Sequence, residues 1–318
     1  MEFGKVQHID NIDFMLPPDD PVTERLWQRL KDKPIRPLRI HVGGTEWGRV
    51  SWVGSVYPQG TKSKDFLTWY ARQLNTVELN TVFYGLPSAE TVRRWAGAVD
   101  EAFQFCPKFP EAISHRQVLK GVSTETEAFV GRMQAFGSRL GPAFLQLSDR
   151  FGPDQAGALQ QYVRRLPQGF QVCVELRSEE WFRKGGAVTD GDAGSGSSAV
   201  RDTYLQLLES GVGTVITDVS GRRDVLHMRL TTPVAFIRFV TNSLHPTDYQ
   251  RADAWIDRIG VWAARGLSAV YLFVHSPEEL TSPEMMRYII SRMNERYGLK
   301  MPVPNLVNGG RPGNLTLF

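Results

Sequence analysis

At 318 residues, with 37 basic and 34 acidic side chains, a net charge of +3 and a pI near 8.8, the chain has the size of one large α/β unit and lacks the charge excess of a nucleic-acid binder. Its two cysteines, Cys106 and Cys173, offer no disulfide framework and read as reduced residues. The opening residues MEFGKVQHIDNIDF carry no signal pattern and the longest apolar run, Leu267 to Val274, is too short to span a bilayer, so the reading is a cytoplasmic protein with no membrane partner.

In chain order, residues 1–37 read as an N-terminal arm packed on the outside, with proline punctuation (LPPDDP) and a short helical pattern at Thr23 to Leu30. From Leu38 a regular alternation begins. LRIHVGG is a strand, followed by a helix over Ser63 to Leu74. TVELN is the second, followed by a helix capped by Ser88 and running from Ala89 to Val99. FQFCPKF (Phe103 to Phe109) precedes a helix from Ser123 to Leu140, and AFLQL (Ala143 to Leu147) one from Asp154 to Leu166. VCVEL (Val172 to Leu176) leads through a mobile glycine- and serine-rich insert, 185–198, to a helix over Ala199 to Glu209. GTVITD (Gly213 to Asp218) has no convincing helix after it. AFIRFV (Ala235 to Val240) and AVYLFVH (Ala269 to His275) lead to strong helices at Thr247 to Arg265 and Ser282 to Tyr297.

Eight strands in strict alternation with seven clear helices suit a single (β/α)8 barrel, a TIM barrel with an irregular sixth helix, over 38–298, followed by a tail at 299–318. A doubly wound sheet is the alternative. HVGGTEW lacks the G-x-G-x-x-G spacing and no Walker sequence occurs, so no cofactor is assigned.

Polar residues gather at the C-terminal strand ends, where a barrel binds its ligands. They are Glu78 and Asn80, Lys108, Gln146, Glu175 and Arg177, Asp218, Arg238 and His275. Residues two apart on a strand share a face, which groups Glu78 with Asn80, Cys106 with Lys108 and Glu175 with Arg177. Rim ion pairs, Glu175 with Arg177 or Arg238 and Glu78 with Lys108, would explain any one of them. So many charges at one end favour a ligand site. The loops add His115 as a proton carrier, Trp47 and Trp52 as walls, Tyr84 as a hydroxyl beside Asn80, and Ser220 to Arg223 as an anion-binding turn or a solvated one. His41, Glu78, Glu175, Asp218 and His275 are metal-ligating types, but no H-x-H, HExxH or CxxC spacing supports a metal, and none is assigned.

At these residues the chain resembles the YecE-like family, domain of unknown function 72. The resemblance rests on GGTEWG, VYP, FLTWYARQLNTVELNTVFYGLPSAETVRRWA, FQFCPKFPEAISH, GPAFLQLSDRFGP and VCVELRSEEWF. It implies a TIM barrel without an agreed activity, whose shared polar residues correspond to Trp47, Glu78, Asn80, Tyr84, Lys108, His115, Gln146, Glu175, Arg177 and Asp218. Near strand eight the chain departs from the family pattern, with FVHSPEELTSPEMM and His275.

The expectation is an enzyme of hydrolase or isomerase type acting on a small polar or anionic substrate. Glu78 or Glu175 serves as acid or base, Lys108 with Arg177 or Arg238 steadies an anion, and His115 carries a proton. The alternatives are a binding protein for a phosphorylated ligand or nucleic acid, using Lys108, Arg177 and Arg238, joined by Arg222 and Arg223, with Trp47 and Trp52 stacking, or a metal-dependent phosphoesterase.

Overall fold

A computed structural model describes Gly4, Val6 and residues 8–183 and 195–306. Helix α1 (Pro21–Leu30) is capped by the Asp20 side chain and precedes eight parallel strands. These are β1 (Arg39–Gly44), β2 (Thr76–Leu79), β3 (Gln104–Pro107), β4 (Ala143–Gln146), β5 (Val172–Glu175), β6 (Gly213–Asp218), β7 (Val234–Val240) and β8 (Ala269–His275). They lie in the order β3-β2-β1-β8-β7-β6-β5-β4. The two end strands meet through bridges at Phe105–Leu140 and Lys108–Phe144, so the sheet curls into a nearly closed barrel.

The helices between strands are α2 (Phe66–Ala71), α3 (Thr81–Tyr84), α4 (Ala89–Gly97), α5 (Ser123–Met133), α6 (Ala156–Arg164), α7 (Ser195–Ser210) and α8 (Pro246–Ala264), with α9 (Ser282–Tyr297) after β8. Two are shorter than their apolar spacing suggests. The first turn of the helix after β1, Ser63–Asp65, is a 3-10 turn. The helix after β3 gives way at Met133 to a 3-10 stretch broken at Gly137, whose φ of 60° is the left-handed conformation that glycine tolerates. The insert at 185–194 and the tail beyond 306 lie outside the described residues, and α7 starts at Ser195 rather than Ala199.

After β6 a 3-10 stretch, Ser220–Val225, stands where the sixth helix would be. Helix α1 covers the gap. Its Thr23 hydroxyl donates to the Met228 carbonyl (2.6 Å) and accepts from the Leu230 amide (2.7 Å), while Asp20 pairs with Arg229 (2.7 Å). On one side Arg29 reaches the Leu208 carbonyl of α7. On the other, Asp19 and Glu24 pair with Arg258 and with Arg265 at the end of α8.

Inside the barrel, Cys106, Phe144, Cys173, Val215, Phe236, Tyr271 and Phe273 pack as a cluster of their own, distinct from the larger core between sheet and helices. Both cysteines are free and buried there. Because side chains alternate along a strand, the residue two places beyond each of these faces the lumen too. The next ring is therefore Lys108, Gln146, Glu175, Thr217, Arg238 and His275. Glu78 joins it from β2, above Thr76, whose hydroxyl lies 3.7 Å from the Cys106 sulfur. Among the described residues no helix is long and apolar enough to cross a membrane.

Candidate functional site at the barrel mouth

The polar ring is organised by one guanidinium. Arg238 spans the lumen from β7, donating through Nε (2.9 Å) and Nη2 (3.0 Å) to Glu78 and through Nη1 to both oxygens of Glu175 (3.1 and 3.0 Å). Each carboxylate has further donors. Glu78 accepts from Asn80 Nδ2 (2.9 Å) and meets His275 Nε2 (3.2 Å); Glu175 accepts from Arg177 Nε (2.7 Å) and the Thr217 hydroxyl (2.8 Å). Burial alone would raise both carboxyls, yet the cations outweigh it. Arg238 and His275 hold Glu78 well below the ordinary range, and Arg177 with Arg238 brings Glu175 to about 2. Both are fixed anions, and the pairing of Glu78 is with Arg238 rather than Lys108.

Lys108 is the exception in this ring. It is 3 % exposed, and among the described residues its ammonium has no hydrogen bond or ion pair. Its contact is the face of Phe83, 4.1 Å from the ring centroid. Burial, followed by repulsion from Arg238, lowers it from 10.5 to about 8 against the pull of Glu175 and Glu78. On the neighbouring strand Gln146 is equally buried, and its Oε1 has no partner. Among the described residues, the ammonium of a buried lysine and a buried carbonyl oxygen thus stand without hydrogen bonds on the two strands that meet at the seam.

His115 lies in a five-residue π-helix, Ala112–Arg116, a rare geometry often associated with functional sites. It packs edge-on against the same Phe83 ring (5.2 Å) and shares a hydrogen bond with Ser114 (2.8 Å). Partial burial, then Lys108 and Arg177, lower its pKa.

Three expected residues stand outside the hydrogen-bonded ring. Asp218 is one position out of phase with Thr217, so it faces outward, where Arg251, Arg223 and the Trp255 indole hold it. Trp47 packs edge-on against Trp95 and Phe105 in the outer core. Tyr84 is 81 % exposed, touching Phe83 edge-on. Of the anion-binding turn, Arg222 pairs with Asp224 and Arg223 with Asp218. Strand alternation from Val215 selects Thr217, and that signal was available in GTVITD. Phe83 gives none, because the short α3 that presents it is not legible in NTVFY. Glu279, on the loop after β8, has φ of 56°, and burial raises its carboxyl, which is held by Thr45 (3.1 Å) and Ser282.

His41 is stacked on Tyr271 in the lumen (4.5 Å), apart from outward-facing Asp218. Among the described residues no three His, Cys, Asp or Glu side chains are grouped to hold a metal. A groove of about 960 Å³ lies between α5 and α6, on the outside of the barrel, and includes none of the strand-end residues.

The eight strands and their charged C-terminal ring define a TIM-like barrel with a polar mouth. A family model described as "Protein of unknown function DUF72" matches residues 41–306, and the chain belongs to that family. It is 30% identical over 253 residues to the UPF0759 protein YecE of Escherichia coli, in both strain K12 and O157:H7, covering 78% of this chain and 90% of each relative. Crystal structures of DUF72 family proteins share the fold. The one from Enterococcus faecalis V583 aligns at TM-score 0.60 and 19% identity over 82% of this chain and 98% of that one. The one from Thermotoga maritima MSB8 aligns at 0.60 and 20% over 81% and 99%.

Proposed function

We propose that the barrel mouth is the active site of an enzyme of hydrolase or isomerase type that acts on a small anionic substrate. The carrying observation is Lys108, a buried residue whose cation has no carboxylate partner among the described residues, beside two glutamates already held by Arg238. The ring carries three cations, Lys108, Arg177 and Arg238, against the two carboxylates of Glu78 and Glu175, so an incoming anion balances it. Gln146 Oε1 supplies an acceptor for a hydroxyl or amide on the same ligand.

The roles differ from the simplest carboxylate scheme. Glu78 and Glu175 are too strongly held to give up or take protons near neutrality and act as a fixed electrostatic floor. Proton transfer belongs to Lys108 and His115, whose lowered pKa values suit that task. The nucleic-acid reading finds less support, since Trp52 is 2 % exposed and Arg222 and Arg223 are paired with aspartates.

The test is calorimetric titration of the protein with inorganic phosphate at pH 7. Binding should weaken roughly tenfold or more, a loss of about 1.4 kcal/mol or more, in Lys108→Met. Equal affinity in the two proteins would remove the assignment.

A further inference from the structure

We infer that Lys108 is a nucleophile that forms an imine with the carbonyl group of an anionic aldehyde or ketone substrate. This rests on reading the mouth as an anion site and adds a covalent step to it. Four observations converge on the amine. Lys108 rises from the lumen face of β3 above Cys106, so it points along the barrel axis into the mouth rather than out to solvent. Among the described residues no carboxylate pairs with it, although Glu78 and Glu175 belong to the same ring, because Arg238 holds both. Phe83 covers one side of the ammonium with an apolar ring. Gln146 offers an unpartnered oxygen from the adjoining strand, placed to accept from a substrate hydroxyl or from the hydroxyl of the addition intermediate.

A lysine among cations, beside an apolar wall, is held partly as the free amine, and the free amine attacks carbonyls. With its pKa lowered to about 8, about a tenth of Lys108 is neutral at pH 7, roughly 300 times the fraction for a lysine at 10.5. The amine lone pair forms the N–C bond as the carbonyl π pair moves to oxygen. The carbinolamine then loses water: the C–O bond breaks, and the oxygen departs with the two protons shed by the amine. The substrate's own anionic group meets Arg177 and Arg238 across the mouth, and the resulting C=N bond draws electrons from the adjacent carbon. That is the chemistry of an aldol cleavage or of an isomerisation next to a carbonyl.

The experiment is borohydride trapping on the full chain, with pyruvate and, separately, formaldehyde as probes, followed by peptide mapping. The expected result is a reduced pyruvate adduct on Lys108 at pH 7 in preference to exposed Lys120. Excess phosphate should suppress it, and it should be absent from Lys108→Arg and retained in Lys120→Arg. Its rate should rise toward a plateau with a midpoint near pH 8, set by Glu78 on β2, Glu175 and Arg177 on and beside β5, Arg238 on β7, His275 on β8 and His115. Phosphate binding without labelling of Lys108 by either probe overturns the imine and leaves the anion site standing. Failure of both phosphate binding and labelling overturns the two together. Because the adduct is mapped on the unaltered chain, its assignment to Lys108 does not depend on any variant folding.

Discussion

Arg238 inside the barrel and Arg251 outside it are both buried, and each holds two carboxylates: Glu78 with Glu175, and Asp218 with Asp248. Around Arg251 the neighbours are satisfied by protein groups. Its guanidinium also donates to the Val240 carbonyl, lies against Phe239 and Phe14, and shares Asp218 with Trp255 and Arg223. Around Arg238 the carboxylates are as well held, yet among the described residues neither Lys108 Nζ nor Gln146 Oε1 beside them has a hydrogen bond or ion pair. Burial of charge is common to both places; what separates a staple from a site is an unfilled polar neighbour.

The largest effect that bears on this contrast is removal of either hub. Arg238→Met and Arg251→Met should each lose about 3–5 kcal/mol in urea unfolding at pH 7, since each strips two buried carboxylates of the cation they share. On acidification Arg238→Met should part from the wild type. Glu78 and Glu175 have folded pKa values below the ordinary 4.5, so their stabilisation is present above that value and is lost as pH falls through the folded values, about 2 for Glu175. Arg238→Met flattens that limb, because Glu78 loses its guanidinium while Glu175 keeps Arg177. Parallel acid limbs in wild type and variant would show that Arg238 is not the hub.

Lys108→Met should act in the opposite direction. A lysine depressed from 10.5 to about 8 is destabilising in full below pH 8 and sheds that cost as pH rises to 10.5. The variant is therefore expected to be more stable at pH 7 by about 1–3 kcal/mol and to lack the rise over that window. A loss of stability at pH 7 would mean the ammonium has a structural partner after all. The smallest effect is Thr217→Val, which removes one hydroxyl from Glu175 while Arg177 and Arg238 stay in place. About 1 kcal/mol is expected in the same unfolding assay.

The barrel was legible because its strands and helices repeat with two different periods, and because TVELN, FQFCPKF and VCVEL end in polar residues at period two. The same rule put Glu78, Lys108, Glu175 and Arg238 in one ring. Applied to GTVITD from Val215 it selects Thr217, so Asp218 reflects polarity chosen ahead of phase. Trp47 and Tyr84 were not legible, since a loop aromatic carries no periodicity to say which way it faces. Nor was the pairing of Glu78, which depends on Arg238 arriving from a strand about 160 residues further along the chain.

The N-terminal helix in the place of the sixth helix has a consequence for the order of folding. Thr23 and Glu24 are made well before their partners Met228 and Arg265, which follow 205 and 241 positions later. During synthesis the helix must wait, with Leu26 and Trp27 uncovered, until β7 and α8 have left the ribosome. A segment translated before the barrel is thus among the last to dock, and the outer wall is closed by a helix that precedes every strand it covers.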